Sequence, residues 1–231
     1  LIHFMNKKTT YILVAVVVIA IIGWFALSNK GNKSSQNSSV QTPTTAQENT
    51  HVNTPTLGDA SAPVSIVEYG HFKCPLCNRF FRETKPQIAE KYIKTGKVKF
   101  VWKDFPYEGG DSAKASEAAH CAQDQGKFWE YHDLLFTYIW DNYYGKGINA
   151  EETEIFTDTK LKEFAGQFGL DTTKFNSCVD SRKYKQRVQD NYKEGIEKGA
   201  KSTPTFFING QKVVGAQPFS VFSQIIDSQL K

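Results

Sequence analysis

Cys74 and Cys77 stand two residues apart where an apolar strand gives way to a helix, and this junction limits the chain's possible folds more than any other feature. Upstream, Pro63-Val64-Ser65-Ile66-Val67 is short, β-branched and bounded by Pro and Gly, the pattern of a buried strand. Downstream, Pro75 falls where a first helical turn tolerates proline, because the N–H it lacks would have no intrahelical partner. Cys74 is therefore predicted to be a helix N-cap, where free N–H groups and the helix dipole favour thiolate over thiol. Such a thiolate attacks disulfides at neutral pH and leaves readily from a mixed disulfide. Spacing, context and proline together favour a dithiol redox site.

The rival reading of two close cysteines is half a zinc site. A structural zinc takes four ligands. The other cysteines, Cys121 and Cys178, are single, and His71, His120 and His132 show no paired spacing. No metal and no cofactor is expected. Neither Cys121 nor Cys178 has a helix-start, proline-bearing context, so the pair reads as a structural disulfide, with an accessory catalytic pair or two unpaired buried thiols as alternatives. Closing a loop of that span would stabilise the fold by about 4 kcal/mol on chain-entropy grounds. An even set of four cysteines suits an oxidising compartment.

Charge excludes one class of partner. Residues 1–56 carry Lys7, Lys8, Lys30 and Lys33 against Glu48; removing them from 28 basic and 24 acidic residues leaves 24 and 23 in 57–231. The remainder is almost neutral, which gives no electrostatic case for nucleic-acid binding.

Residues 9–29 are uncharged and Tyr11 to Leu27 is nearly all apolar, long enough to cross a hydrocarbon core of roughly 30 Å as a helix. Met5, Lys7 and Lys8 read as the start of an export signal. Ala26-Leu27-Ser28 would permit cleavage before Asn29, but the run exceeds a usual signal core, which favours an uncleaved anchor over a signal peptide or a buried core helix. Lysines flank the run evenly, so the cysteines decide orientation: the domain is expected outside the cytoplasm at the cell membrane, or periplasmic or secreted if the leader is cleaved. Residues 29–56, rich in Ser, Thr, Asn and Gln, read as a disordered linker with no pattern for a dimerisation module. The expected organisation is a signal peptide or transmembrane anchor in 1–28, this linker, and a folded domain in 57–231.

Within that domain, apolar residues recur at helical spacing from Phe80 to Ile93, with Pro86 predicting a kink. Val98 to Trp102 alternates as a second strand. Helices are predicted over 111–124, 127–140, 159–168, 172–179 and 181–198, with turn-rich sequence over 141–157. The aromatic residues Phe128, Trp129, Tyr131, Phe136 and Trp140 read as core more than as a peptide groove. Thr203 to Ile208 is a strand, Asn209-Gly210 a hairpin turn, Gln211 to Val214 its partner, and Phe219 to Leu230 a closing amphipathic helix.

This order resembles the DsbA-like branch of the thioredoxin superfamily. The match is carried by Ala62-Pro63-Val64, Cys74-Pro75-Leu76-Cys77, Gln125-Gly126-Lys127-Phe128-Trp129-Glu130-Tyr131-His132 and Thr203-Pro204-Thr205-Phe206-Phe207-Ile208-Asn209-Gly210. The resemblance implies an α/β thioredoxin fold with an all-helical block inserted at about 111–199. It makes Cys74 the exposed attacking thiol, Cys77 the buried resolving one, and Thr203-Pro204 a cis-proline platform that presents backbone to substrate. Glu68 would be a buried acid assisting proton transfer with Cys77; an ordinary exposed strand carboxylate is the alternative. His71 either tunes the thiolate or caps the loop, and Lys73 either lowers the Cys74 pKa or points into water. Leu76 stands where related proteins can have a thiolate-stabilising His. The implied activity is disulfide formation or exchange in exported cysteine-containing polypeptides by a monomer, served by a membrane partner that reoxidises or reduces it. An isomerase or reductase of the same fold and a non-catalytic extracellular binding module are the alternatives.

Overall fold

The computed structural model describes residues 54–106 and 110–231. The expected leader and residues 29–53 of the expected linker lie outside the described residues. Among the described residues, no helix is long and apolar enough to cross a membrane.

Five strands build one sheet: β1 (Thr56–Leu57), β2 (Val64–Gly70), β3 (Val98–Asp104), β4 (Thr205–Ile208) and β5 (Gln211–Val214), in the spatial order β1-β3-β2-β4-β5. β2 and β3 run parallel, and the other three pairs are antiparallel. Alternation does the sorting: Val64, Ile66 and Glu68 of β2 share a buried face with Val98, Phe100 and Trp102 of β3, and Glu68 lies beside Trp102 in register. β1 has no counterpart in the sequence reading, because two residues carry no period; Pro55 and Thr56 are nevertheless tied to β3, the Trp102 N–H donating to the Pro55 carbonyl.

Helix α1 (Pro75–Glu83) crosses from β2 towards β3. The predicted kink at Pro86 is a full interruption: α1 ends at Thr84, a short helix α2 (Lys85–Ile88) restarts around the proline, and a π-type turn follows over Ala89–Ile93. Phe80, Ile88, Phe100, Phe206, Phe222 and Ile226 form the core between this segment, the sheet and the last helix, α8 (Phe219–Gln229).

Between β3 and β4 lies the all-helical insertion: α3 (Gly110–Gln123), α4 (Phe128–Asn142), α5 (Asp158–Gln167), α6 (Thr172–Asp180) and α7 (Lys185–Glu197). Thr157 and Asp171 cap α5 and α6 by accepting from the Lys160 and Lys174 N–H groups, as Ser, Thr, Asp and Asn do at helix starts. The helix expected from Ser181 begins only at Lys185. Arg182 has φ +51, outside the helical region, and its guanidinium forks onto both oxygens of the buried Glu117 on α3. Tyr131, Leu135, Phe156, Leu161, Phe164 and Phe175 form this block's core; Phe128 and Phe136 are buried with them, whereas Trp129 and Trp140 stay partly exposed. The β4–β5 turn has Asn209 at φ +44 and Gly210 at φ +89, the left-handed pair an Asn-Gly hairpin needs.

Candidate active site

The end of β2 and the start of α1 bring two sulfurs together. Cys74 is the N-cap of α1, its backbone extended, and its Sγ accepts from the Cys77 N–H at 3.2 Å. Pro75 follows at the first helical position, where a missing N–H costs nothing. Both cysteines are free thiols. The Thr203-Pro204 peptide bond is cis, and the Thr203 carbonyl oxygen lies 3.5 Å from Cys74 Sγ. A long helical block thus separates two chain segments that the sheet returns to one spot.

The exposure contrast implied by the resemblance is slight: Cys74 is 3% exposed and Cys77 0%. Hydrogen bonding separates them instead. Burial pushes the Cys74 thiol up, but bonds from the Cys77 thiol, the Thr203 side chain and the Cys77 and Leu76 amides outweigh it, and the net shift is downward. For Cys77, burial and the adjacent Cys74 sulfur both disfavour the anion, and its pKa stands well above a normal thiol's. The arrangement holds one sulfur ready to be a thiolate and the other ready to keep a proton.

Glu68 is 2% exposed, and its Oε1 has no hydrogen-bond partner among the described residues. Burial drives its pKa well up; the Lys85 charge opposes this and a Cys74 charge adds to it. A Cβ built on Gly70 would meet Trp102 Cη2 at 3.0 Å, Cys77 Sγ at 3.1 Å and Glu68 Oε1 at 3.2 Å, so carboxyl and thiol converge on that glycine. Trp102 also stacks on Phe72 with ring centroids 5.2 Å apart. Its indole N–H donates to Asp104, a fully buried carboxylate that also receives His120 and Asn191 from the helical block. That network fixes the indole beneath the dithiol.

A thioredoxin family model matches residues 50–228. The chain belongs to the thioredoxin family. Within that family its fold is the DsbA-like one, an α/β thioredoxin fold with a helical insertion, of the thiol–disulfide oxidoreductases. The crystal structure of α-DsbA1 from Wolbachia pipientis is similar at TM-score 0.65 and 28% identity, over 77% of this chain and 91% of that one. "Probable disulfide bond formation protein D" of Bacillus anthracis is 28% identical over 95% of this chain and 94% of its own length. "Na(+)/H(+) antiporter NhaA 1" of Salinispora arenicola is 30% identical over 72% of this chain, which spans only 23% of that protein's length.

Two neighbours of the thioredoxin-family dithiol take positions the sequence left open. Lys73 points neither to water nor to Cys74: its ammonium is buried, 2.7 Å from Asp111 Oδ1, and donates to the Glu151 and Thr153 carbonyls. It pins the loop before Cys74 to the helical block, and the Tyr144 hydroxyl adds a bond to the Lys73 carbonyl. His71 is buried against the Ser112 hydroxyl, 3.0 Å away, and burial lowers its pKa to about 4, so it is neutral at physiological pH. Leu76 is 39% exposed beside the site, offering no charge to the thiolate. Cys121 on α3 and Cys178 on α6 are joined in a disulfide inside the helical block. Gly70, Trp102 and Lys85 were not singled out in the sequence; only the strand periodicity pointed at Trp102, and nothing local pointed at the other two.

Proposed function

We propose that the chain exchanges disulfides with exported cysteine-containing polypeptides, acting as a disulfide donor through Cys74 and Cys77. The observation that carries this reading is the split between the sulfurs: Cys74 is held below a normal thiol pKa and Cys77 well above. A low-pKa sulfur is the better leaving group, so the reduced form is favoured and the oxidised form gives its disulfide away. A substrate thiolate attacks Cys74 Sγ of the oxidised pair; the Cys74–Cys77 bond breaks, and its electron pair leaves on Cys77 Sγ, which takes a proton from Glu68. A second substrate thiolate attacks the substrate sulfur of the mixed disulfide and expels the Cys74 thiolate. The substrate loses two electrons as a new disulfide, and the chain is left as the dithiol.

Thr203-Pro204 presents the Thr203 carbonyl beside Cys74, and we assign it to aligning extended substrate backbone. Cys121–Cys178 is assigned a structural role. The apolar run in 9–29 anchors the chain with its domain, 57–231, outside the cytoplasm on the linker 29–56, as a monomer that a membrane partner reoxidises. The experiment is oxidative refolding of a reduced polypeptide by the oxidised full-length chain. Cys74→Ser is expected to abolish transfer, and full activity in that variant would sink the reading. An isomerase or reductase direction is separated by the equilibrium potential of the Cys74–Cys77 couple, which for a donor lies on the oxidising side of its substrates.

A further inference from the structure

The sheet face turned away from α1 is only partly covered. On β2, alternation puts Ile66 in the core with Phe80 of α1, and Ser65, Val67 and Tyr69 on the opposite face. Val67 is the register partner of Val101 on β3 and of Phe207 on β4, so three half-buried apolar side chains form one row across the sheet. Helix α7 closes over one end of this face. A Cβ on its Gly195 would meet the Phe105 ring at 2.6 Å and the Tyr69 ring at 2.8 Å, an approach that only glycine permits. α7 stops at Glu197, and the row is left lining an open groove of about 700 Å³, a volume suited to a small-molecule ligand. The Tyr69 and Phe207 rings meet edge to face there, with centroids 5.8 Å apart.

Charge distinguishes this groove from the rest of the surface. Its lining holds Lys99, Lys103 and Lys198 against one carboxylate, Glu194, in a domain whose basic and acidic residues nearly balance. Glu194 is already engaged: Lys103 donates to its Oε2 at 2.7 Å and the Tyr69 hydroxyl to its Oε1 at 2.9 Å. Lys99 donates to the Ala60 carbonyl at 3.0 Å, while Asp59, whose carboxylate feels the Lys99 charge, accepts from the Ser61 amide and hydroxyl at 2.8 and 2.7 Å. Lys198 is exposed, and among the described residues neither it nor Lys99 is ion-paired with a carboxylate. An apolar floor whose lining holds two such ammoniums is complementary to a molecule with an apolar body and one negative head. We propose that this groove binds a small aromatic carboxylate, its ring system on Val67, Val101 and Phe207 and its head towards Lys99 and Lys198. The exposed edges of Phe207 and Tyr69 favour an aromatic body, because aromatic pairs gain beyond the area they bury. Lysine stems also shield apolar surface from water, but shielding alone gives no saturable binding that depends on the sign of the ligand's charge.

The test uses the full-length chain in a zwitterionic bilayer disc, labelled at its valine methyl groups, with naphthoate as the probe. The Val67 and Val101 methyl signals, assigned by their loss in Val67→Ala and Val101→Ala, should move as naphthoate is added and saturate as a single site. Naphthylmethylammonium has the same ring with the opposite charge, and it should bind more weakly by about tenfold. Lys198→Gln and Lys99→Gln should each weaken naphthoate binding by about two- to fivefold, the range of an exposed charge pair, and high salt should erase that difference. Methyl shifts that never saturate, equal affinity for the two probes, or undiminished naphthoate affinity in folded Lys198→Gln would each overturn the inference. Should Lys99→Gln fail to fold, the exposed Lys198→Gln carries the test.

Discussion

Replacing His132 with Phe should flatten the acid sensitivity of this fold. His132 is 1% exposed, and burial lowers its pKa from 6.5 to about 4. Its Nδ1 is bonded to Asp133, its Nε2 has no partner among the described residues, and the rings of Trp102, Phe136 and Phe72 surround it at centroid distances of 4.9, 4.9 and 5.5 Å. Between pH 6.5 and 4 the unfolded chain binds a proton at this site and the folded chain does not, so stability is present at neutral pH and lost as pH falls. With midpoints of 6.5 and about 4, one such group removes about 2 kcal/mol of stability between pH 7 and pH 4.5. His71, whose pKa burial likewise lowers to about 4, acts in the same sense. Glu68 acts in the opposite sense, since its raised pKa makes the folded state bind the extra proton in acid. The net slope of the unaltered protein is therefore a balance, and the single substitution isolates one contribution. Phe suits a pocket walled by aromatic rings and does not titrate. Urea unfolding followed by circular dichroism at pH 7 and pH 4.5 should give His132→Phe a loss smaller than the unaltered chain's by about 2 kcal/mol. Equal losses in the two proteins would refute the assignment of a neutral buried His132.

Two more outcomes follow from packing. Gly70→Ala should cost about 1–3 kcal/mol by overpacking, reversing the usual slight gain from Gly to Ala, because the new Cβ would meet Trp102, Cys77 Sγ and Glu68 Oε1 at 3.0–3.2 Å; a urea midpoint above that of the unaltered chain would show that the convergence on Gly70 is looser than described. Removing the Cys121–Cys178 bridge, which spans 57 residues, by paired Ala substitution should cost about 4 kcal/mol and lower Tm by about 8–16 °C. Disulfide transfer at 25 °C should survive that change, and its disappearance from the folded double variant would make the pair an accessory catalytic one.

The sequence by itself determined what a few neighbouring residues can settle. Cys74 as N-cap before Pro75, the Asn209-Gly210 hairpin, the Thr157 and Asp171 caps and the alternation of β2 and β3 all depend on partners within one helical turn or on strand periodicity. The motifs in their order were enough to indicate the thioredoxin-family fold and its helical insertion. Short-range signals misjudged elements whose limits are set from afar: the helix start at Lys185 follows from Arg182 reaching Glu117 on α3, and β1 forms only because β3 offers it an edge. The site's electrostatics were decided by the tertiary structure. Lys73 was indistinguishable from a solvated lysine until Asp111, 38 residues away, closed on it. Glu68 has a raised pKa because the packing of the sheet and helices excludes water around it. Charges are read from the chain one at a time, but their pKa values depend on desolvation and on which opposite charge packing brings near. The residues at the Cys74–Cys77 junction were legible in sequence; the difference between its two sulfurs was made by the fold.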